Sequence, residues 1–459
     1  MSLTRELARR ALAVRHADLP MEIRALARQC ILDTIGVAIA GADDPLCRIL
    51  TDELVEQGGS PAAGIMGRAL RLPALSAALL NGTAAHALDF DDVNMAMPGH
   101  PSVAVLPAVL ALAEERGKSG AEVIAAFVAG YETACRVGQL IFPDHYDGIG
   151  FHATGTVGTF GAAAGCAHLL GLDEQQTAHA LGIAATQAAG LKSMFGTMCK
   201  PLHAGKAAYH GLLAARLAAR GFTARPDSLE CSQGFAQTHS KDFHPEAALR
   251  TPRSGWHIRN NLFKYHAACY LTHAGIEAAR TLRHDHNLTV DRIAAVTLRV
   301  DRVTDRVCNI AAPVSGLQAK FSHRLTAAMA LAGTDTARLD AYSEASAHDP
   351  ALVSLRDRIA VELQPDWGHT RAQMEIRLTD QTTLVAEHNS GIPAPDVAIQ
   401  GIRIEAKFLG VASPALTDGT ARVLLEAVGM FDTLASTECV VRHWAALERS
   451  NDQSCSRST

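Results

Sequence analysis

Gly155–Gly165, GTVGTFGAAAG, decides how this chain folds. Gly155, Gly158 and Gly161 recur every third residue, which sets them on one face of a helix. A helical glycine costs about 1 kcal/mol relative to alanine, so three on one face predict a place where another helix comes close. A phosphate-cradling loop is the competing reading, but the stretch has neither G-x-G-x-x-G nor P-loop spacing.

Helical patterning continues on both sides. Arg24–Gly41, Val103–Arg116, Ala121–Leu140 and Ala207–Arg220 repeat apolar residues at three and four, so Met1 to about Tyr270 reads as helix. After a helix at about Tyr270–Arg283 the character changes. Arg292–Val300, Arg358–Leu363, Met374–Leu378 and Thr383–Glu387 read as strands, the last two a hairpin around Thr379–Thr382. Phe321–Gly333 reads as a helix among them. Helix returns beyond Pro393–Pro395 at Val397–Phe408, Thr417–Val428 and Cys439–Leu447. The expected class is mainly α: a large all-α domain over 1–269, completed by 397–449, and a smaller α+β domain over 270–396. The polar tail 450–459 is expected to be disordered.

Bulk composition narrows the function. A chain of 459 residues is long for one core. A net charge of −5 offers no polyanion-binding surface, so nucleic acid is not an expected partner. No apolar run reaches membrane-spanning length, and MSLTRELARRALAVRH lacks the apolar centre of a signal peptide, so a cytoplasmic setting is expected. Ten scattered cysteines with no C-x-x-C pair point to reduced thiols, not to a zinc ribbon or iron–sulfur cluster. Of 42 basic residues only eight are lysine. Five of these (Lys192, Lys200, Lys206, Lys264, Lys320) lie in segments rich in Gly, His and Ser. Lysine can change protonation state in a site and arginine cannot, so these positions invite a chemical reading.

The densest chemistry is Asn81–Ser102, NGTAAHALDFDDVNMAMPGHPS, with His86, Asp89, Asp91, Asp92 and His100 between two apolar helices. It reads either as a proton-transfer site or as an acidic, solvated loop. Gly148–Thr154 contributes His152, Lys192–His203 contributes Lys200 and His203, Asn261–His273 contributes Lys264 and Tyr265, and Ala319–Arg324 contributes Lys320 and Ser322. Each has a bland account. His152 suits a helix cap, Lys200–Pro201 a turn, and Lys264 a snorkelling surface lysine. His284–His286 reads as solvated surface. No H-E-x-x-H occurs, so no metal is expected.

Taken in order, AHALDFDDVNMAMPGHPS, GFHATGTVGTFGAAAG, GTMCKPLHAGKAA, LFKYHAACYLTH and AKFSHR resemble the MmgE/PrpD family, which includes 2-methylcitrate dehydratase, cis-aconitate decarboxylase and iminodisuccinate epimerase. The resemblance covers about residues 5–445. It implies a homodimer with a site between the two domains that needs no cofactor. It also implies catalytic roles for Asp89, His100, His152, Lys200 and Lys264. Val93, His203, Tyr265, Lys320 and Ser322 would contact a small di- or tricarboxylate. Two departures point away from decarboxylation of cis-aconitate: Val93 follows the acids where that branch resembles D-F-D-D-T, and Leu325 replaces a tyrosine. The Asp89–His100 spacing is closer to the epimerase-like branch.

The residues agree chemically. Lysines offset carboxylate charge and stabilise an enolate-like anion, while histidines move protons near neutrality. The leading expectation is a cofactor-independent lyase, a hydro-lyase removing a proton α to a carboxylate. The rivals are an epimerase or isomerase of a dicarboxylate, a decarboxylase of a cis-aconitate-like substrate, and a non-catalytic carboxylate-binding protein.

Overall fold

The computed structural model describes residues 2–444. Ser450–Thr459 and the end of the helix expected at Cys439–Leu447 lie outside the described residues. The chain divides into two compact units: residues up to Phe263 together with those from Pro395 on, and Lys264–Ala394. Lys264 and Tyr265 thus count with the second unit. Helix outweighs strand 59% to 10%, which fixes the class as mainly α with a smaller α+β part.

The first unit opens with α1 (Leu3–Leu12), α2 (Met21–Gly41), α3 (Pro45–Gln57), a two-residue β1–β2 bridge (Ala63–Gly64, Arg71–Leu72) and α4 (Ala74–Ala87). It continues through α5 (Pro101–Arg116), α6 (Gly120–Ile141), α7 (Ala153–Leu170), α8 (Glu174–Ala185), α9 (Cys199–Ala219) and the short α10 (Phe235–His239) and α11 (Pro245–Leu249).

Helix α7, which carries the glycine face, is buried along nearly its whole length and packs on α5, α6 and α9. A Cβ on Gly158 would lie 2.6 Å from Ala104 Cβ, and one on Gly161 would lie 2.8 Å from the Gly130 carbonyl oxygen. Both are closer than real Cβ atoms come, so glycine here is a packing requirement, as its spacing suggested. Helix α9 starts eight residues before the expected Ala207. Pro201 was read as a turn former, but it sits in the first helical turn, where its missing N–H costs no hydrogen bond.

The second unit holds α12 (His273–Asp285), β3 (Ile293–Asp301), α13 (Asp305–Cys308), α14 (Gly316–Ala319), α15 (His323–Ala332), α16 (Glu344–His348), α17 (Pro350–Arg356), β4 (Ile359–Gln364), β5 (Arg371–Leu378) and β6 (Thr383–Asn389). Its sheet runs β4-β3-β5-β6, with β3 and β4 parallel and the other pairs antiparallel. Strand β5 alternates buried and half-exposed residues, because one face packs on helix α12.

The chain then returns to the first unit as α18 (Val397–Ala412), α19 (Asp418–Gly429) and α20 (Glu438–Trp444). Helix α18 packs on α2, where Phe408 and Val411 fill the space that Gly36 leaves open. No single helix among the described residues is long and apolar enough to cross a membrane. The eight cysteines from Cys30 to Cys308 are free thiols.

Candidate active site

Four helix ends meet in the first unit. Helix α4 stops at Ala87, and Asp89 follows in the left-handed region with φ +50°. That conformation is rare for side-chain-bearing residues, though Asp and Asn tolerate it best, and it turns the D-F-D-D segment back towards the helix it has just left. His100 and His152 are the residues immediately before α5 and α7, and neither side chain caps its helix. The His100 N–H donates to Thr154 Oγ1 at 3.1 Å, which ties the two helix starts together. Lys200 is the second residue of α9.

These ends bring the predicted side chains into a connected set. Lys200 Nζ donates to Asp89 Oδ1 at 2.7 Å, and His100 Nε2 stands 3.8 Å from the same oxygen. Nδ1 of His100 lies 2.9 Å from Asp91 Oδ2, and the same carboxylate faces His86 Nδ1 at 2.9 and 3.0 Å. His86 lies nearly parallel to His152 with ring centroids 5.7 Å apart, and His152 Nδ1 meets His203 Nδ1 at 3.0 Å. Phe195 stands edge-on to His152 and flanks the Lys200 ammonium. The helix-cap account of His152 and the turn account of Lys200–Pro201 therefore both give way.

Burial sets the protonation states. It lowers His152 well below the usual histidine range, helped by repulsion from His86, Lys200, His100 and His203 whenever those groups carry a proton. It lowers His86 to about 4, although Asp91 pulls the other way, and it lowers His203 as well. Burial thus favours the uncharged form of all three rings. Burial alone would raise Asp91, but His100 and His86 outweigh it and hold the carboxyl well below the ordinary range. Asp92 has no such partners. Burial lifts it to about 7 while it accepts from the Ser102 hydroxyl.

Val93 and Leu262 exchange backbone hydrogen bonds at 2.8 Å in both directions, and Asn94 donates to Tyr131 Oη and to the His257 carbonyl. The loop is thus pinned to the chain on both flanks. His86, Asp89, Asp91 and His100 each turn one donor atom into a space where all four lie within 4.8 Å. That set could accept a divalent ion; Lys200 already brings a positive charge to Asp89.

The remaining expected residues belong to the second unit. Lys264 is buried, which excludes a snorkelling surface role, and Tyr265 and Lys320 are half-buried. Ser322 is buried as the cap of α15: its hydroxyl donates to the Ile310 carbonyl and accepts from the Leu325 N–H. Leu325 is fully buried.

Sequence reading passed over three contributors. His86 and Asp91 stood in the dense segment without a role of their own, yet the Asp91 carboxylate joins His86 to His100. Their signal was present as a His and an Asp five residues apart across a helix end. Lys407 is the third. Its ammonium, buried under the D-F-D-D segment, donates to the Phe90 carbonyl at 2.6 Å and meets Asp33 Oδ1 at 2.6 Å.

Comparison with known proteins matches residues 5–248 to the family model described as MmgE/PrpD N-terminal domain and residues 266–433 to the MmgE/PrpD C-terminal domain. The chain is 28% identical to the cis-aconitate decarboxylase of Homo sapiens over 424 residues, 89% of this chain and 87% of that one. It is 28% identical to that of Mus musculus over 434 residues, 90% and 88% of the two chains. It is 32% identical to that of Aspergillus terreus strain NIH 2624 over 295 residues, 61% and 60% of the two chains.

Proposed function

The chain belongs to the MmgE/PrpD family, and from that premise we propose that it is a lyase acting on a small di- or tricarboxylate through a carbanion next to a carboxylate. One observation carries the reading: His152, kept uncharged by burial, sits within the field of the Lys200 ammonium. A neutral imidazole accepts a proton, and an ammonium beside it binds the carboxylate whose α-carbon loses that proton.

The His152–His203 contact works as a base in one tautomer. His152 Nδ1–H donates to His203 Nδ1, which leaves His152 Nε2 to take the substrate proton. Asp91 fixes His100 by its Nδ1, so that His100 Nε2 is directed at the Asp89–Lys200 pair. In this proposal His100 acts as an imidazolium: Asp91 holds its Nδ1–H, and its Nε2–H goes to the departing hydroxyl, so that water is lost. Asp89 orients Lys200 and closes the chain of alternating charge. Lys264, Tyr265 and Lys320 of the second unit are proposed as further substrate contacts, with Val93 shaping the loop and Ser322 holding the turn after Lys320. The orphan N–H groups at the starts of α5, α7 and α9 add partial positive charge that suits a polyanion. The enzyme is proposed to work as a homodimer.

A second reading is favoured by a separate observation: the relatives compared above are cis-aconitate decarboxylases. Loss of carbon dioxide would give the same kind of carbanion, which His100, as the acid of the pair, would then protonate. An NMR screen of polycarboxylates in deuterated water separates the outcomes. Dehydration yields a new alkene, decarboxylation releases carbon dioxide, and epimerisation exchanges the α-hydrogen without new unsaturation. Undiminished turnover in His152→Ala would overturn the assignment of the base.

A further inference from the structure

Lys407 is one of the eight lysines of an arginine-favouring chain, and it stands on an ordinary amphipathic helix far from every motif. Its surroundings are not ordinary. Both Lys407 and its partner Asp33 are buried, at 2% and 1% side-chain exposure. The ammonium meets Asp33 at 2.6 Å, donates to the Phe90 carbonyl at 2.6 Å, and lies 4.0 Å from the centre of the Phe90 ring. Phe90 is the residue between Asp89, which holds Lys200, and Asp91, which holds His100 and His86.

A buried ion pair adds little stability over a well-packed apolar pair, and losing one partner alone strands a charge. Its presence here calls for a reason beyond stability. The compact ammonium reaches a carboxylate and a carbonyl at once. We propose that Lys407, braced by Asp33, is a positioning residue: it grips the backbone between Asp89 and Asp91 and so sets the aim of Lys200 and His100. This rests on the active-site reading given above. It adds that the helix returning from the second unit supplies part of the catalytic geometry without touching the substrate.

The test pairs two variants. Lys407→Met alone leaves Asp33 charged and buried, so it should lower Tm. Lys407→Met with Asp33→Asn removes both charges and should recover most of that Tm. If Lys407 only stabilises, the double variant should also recover turnover. If it positions the segment, kcat of the double variant should stay about 100-fold down with KM little changed, because a misplacement near 1 Å costs that much. A second readout does not depend on knowing the substrate. Hydrogen exchange of the Phe90–Asp92 amides should remain faster than wild type in the double variant, while exchange elsewhere in α2 and α5 returns to wild-type rates. Recovery of wild-type exchange at those amides, or of kcat along with Tm, overturns the proposal. If the wild type turns over no polycarboxylate, the functional reading fails, and the exchange result still decides the role of Lys407.

Discussion

Replacing Asp89 separates a catalytic role from a scaffolding one, because the backbone there ranks the variants differently for stability and for activity. The Asp89–Lys200 pair is partly open to solvent, with Asp89 at 39% side-chain exposure, so its loss costs under about 1 kcal/mol. The left-handed conformation at φ +50° costs an ordinary side chain about 1 kcal/mol. Asp89→Asn tolerates that conformation and should sit within about 1 kcal/mol of wild type. Asp89→Gly relieves the strain but loses about 0.5–1 kcal/mol to unfolded-chain entropy, for a similar total. Asp89→Ala bears both losses, about 2 kcal/mol. Thermal unfolding should therefore rank Asn and Gly together above Ala. Turnover should not follow that order: all three lose the carboxylate that orients Lys200 and should fall by about 100-fold or more in kcat/KM. The reasoning is refuted if kcat/KM tracks the unfolding order, with Asn and Gly near wild type, since Asp89 would then serve the backbone alone.

Other expectations follow from the same geometry. Burial lifts the folded Asp92 carboxyl to about 7, above its unfolded value, so its contribution is full below about pH 4 and is lost progressively as pH rises from there to 7. Asp92→Asn should raise Tm above wild type most at pH 8, by less at pH 5, and least below about pH 4, where the carboxyl is protonated in both states. His152 is held well below the usual histidine range, so the acid limb of kcat/KM should not carry an inflection near 6.5 from this base; an inflection there that vanishes in His152→Gln would contradict the assignment. Gly161→Ala places a Cβ 2.8 Å from a backbone oxygen of α6, which cannot step aside, so it should destabilise by about 1–3 kcal/mol in chemical unfolding without changing KM.

The helical half of the fold was readable because its signals are local. Apolar spacing located α2, α5 and α6 to within a few residues, and the glycine face of α7 announced the contacts it makes. The start of α9 was misplaced because Pro201 and Gly205 look like breakers one at a time. Only the position of Pro201 in the first turn, and the close approach of Gly205 to α4, make both acceptable. The site divides the same way. Asp89, His100, His152 and Lys200 stood out as reactive types in unusual company. Asp91 and His86 received no role of their own, since a sequence does not reveal which carboxylate an imidazole faces. Lys407 was invisible for a further reason: it lies 317 residues from the carbonyl it binds, on a helix with no distinguishing composition. The rarity of lysine was the one available clue, and it applied to all eight positions.

That separation also sets a schedule for biosynthesis. A ribosome adding about 5–20 residues per second needs roughly 15–60 s to travel from Phe90 to Lys407. Throughout that interval Asp33 has no counter-charge from α18, and the flank of α2 that later receives Phe408 and Val411 faces solvent. The first unit cannot close until the whole of the second has been made. Nascent chains of this protein therefore spend most of their synthesis with an open apolar seam, the kind of surface that chaperones hold and that premature termination leaves exposed for proteolysis.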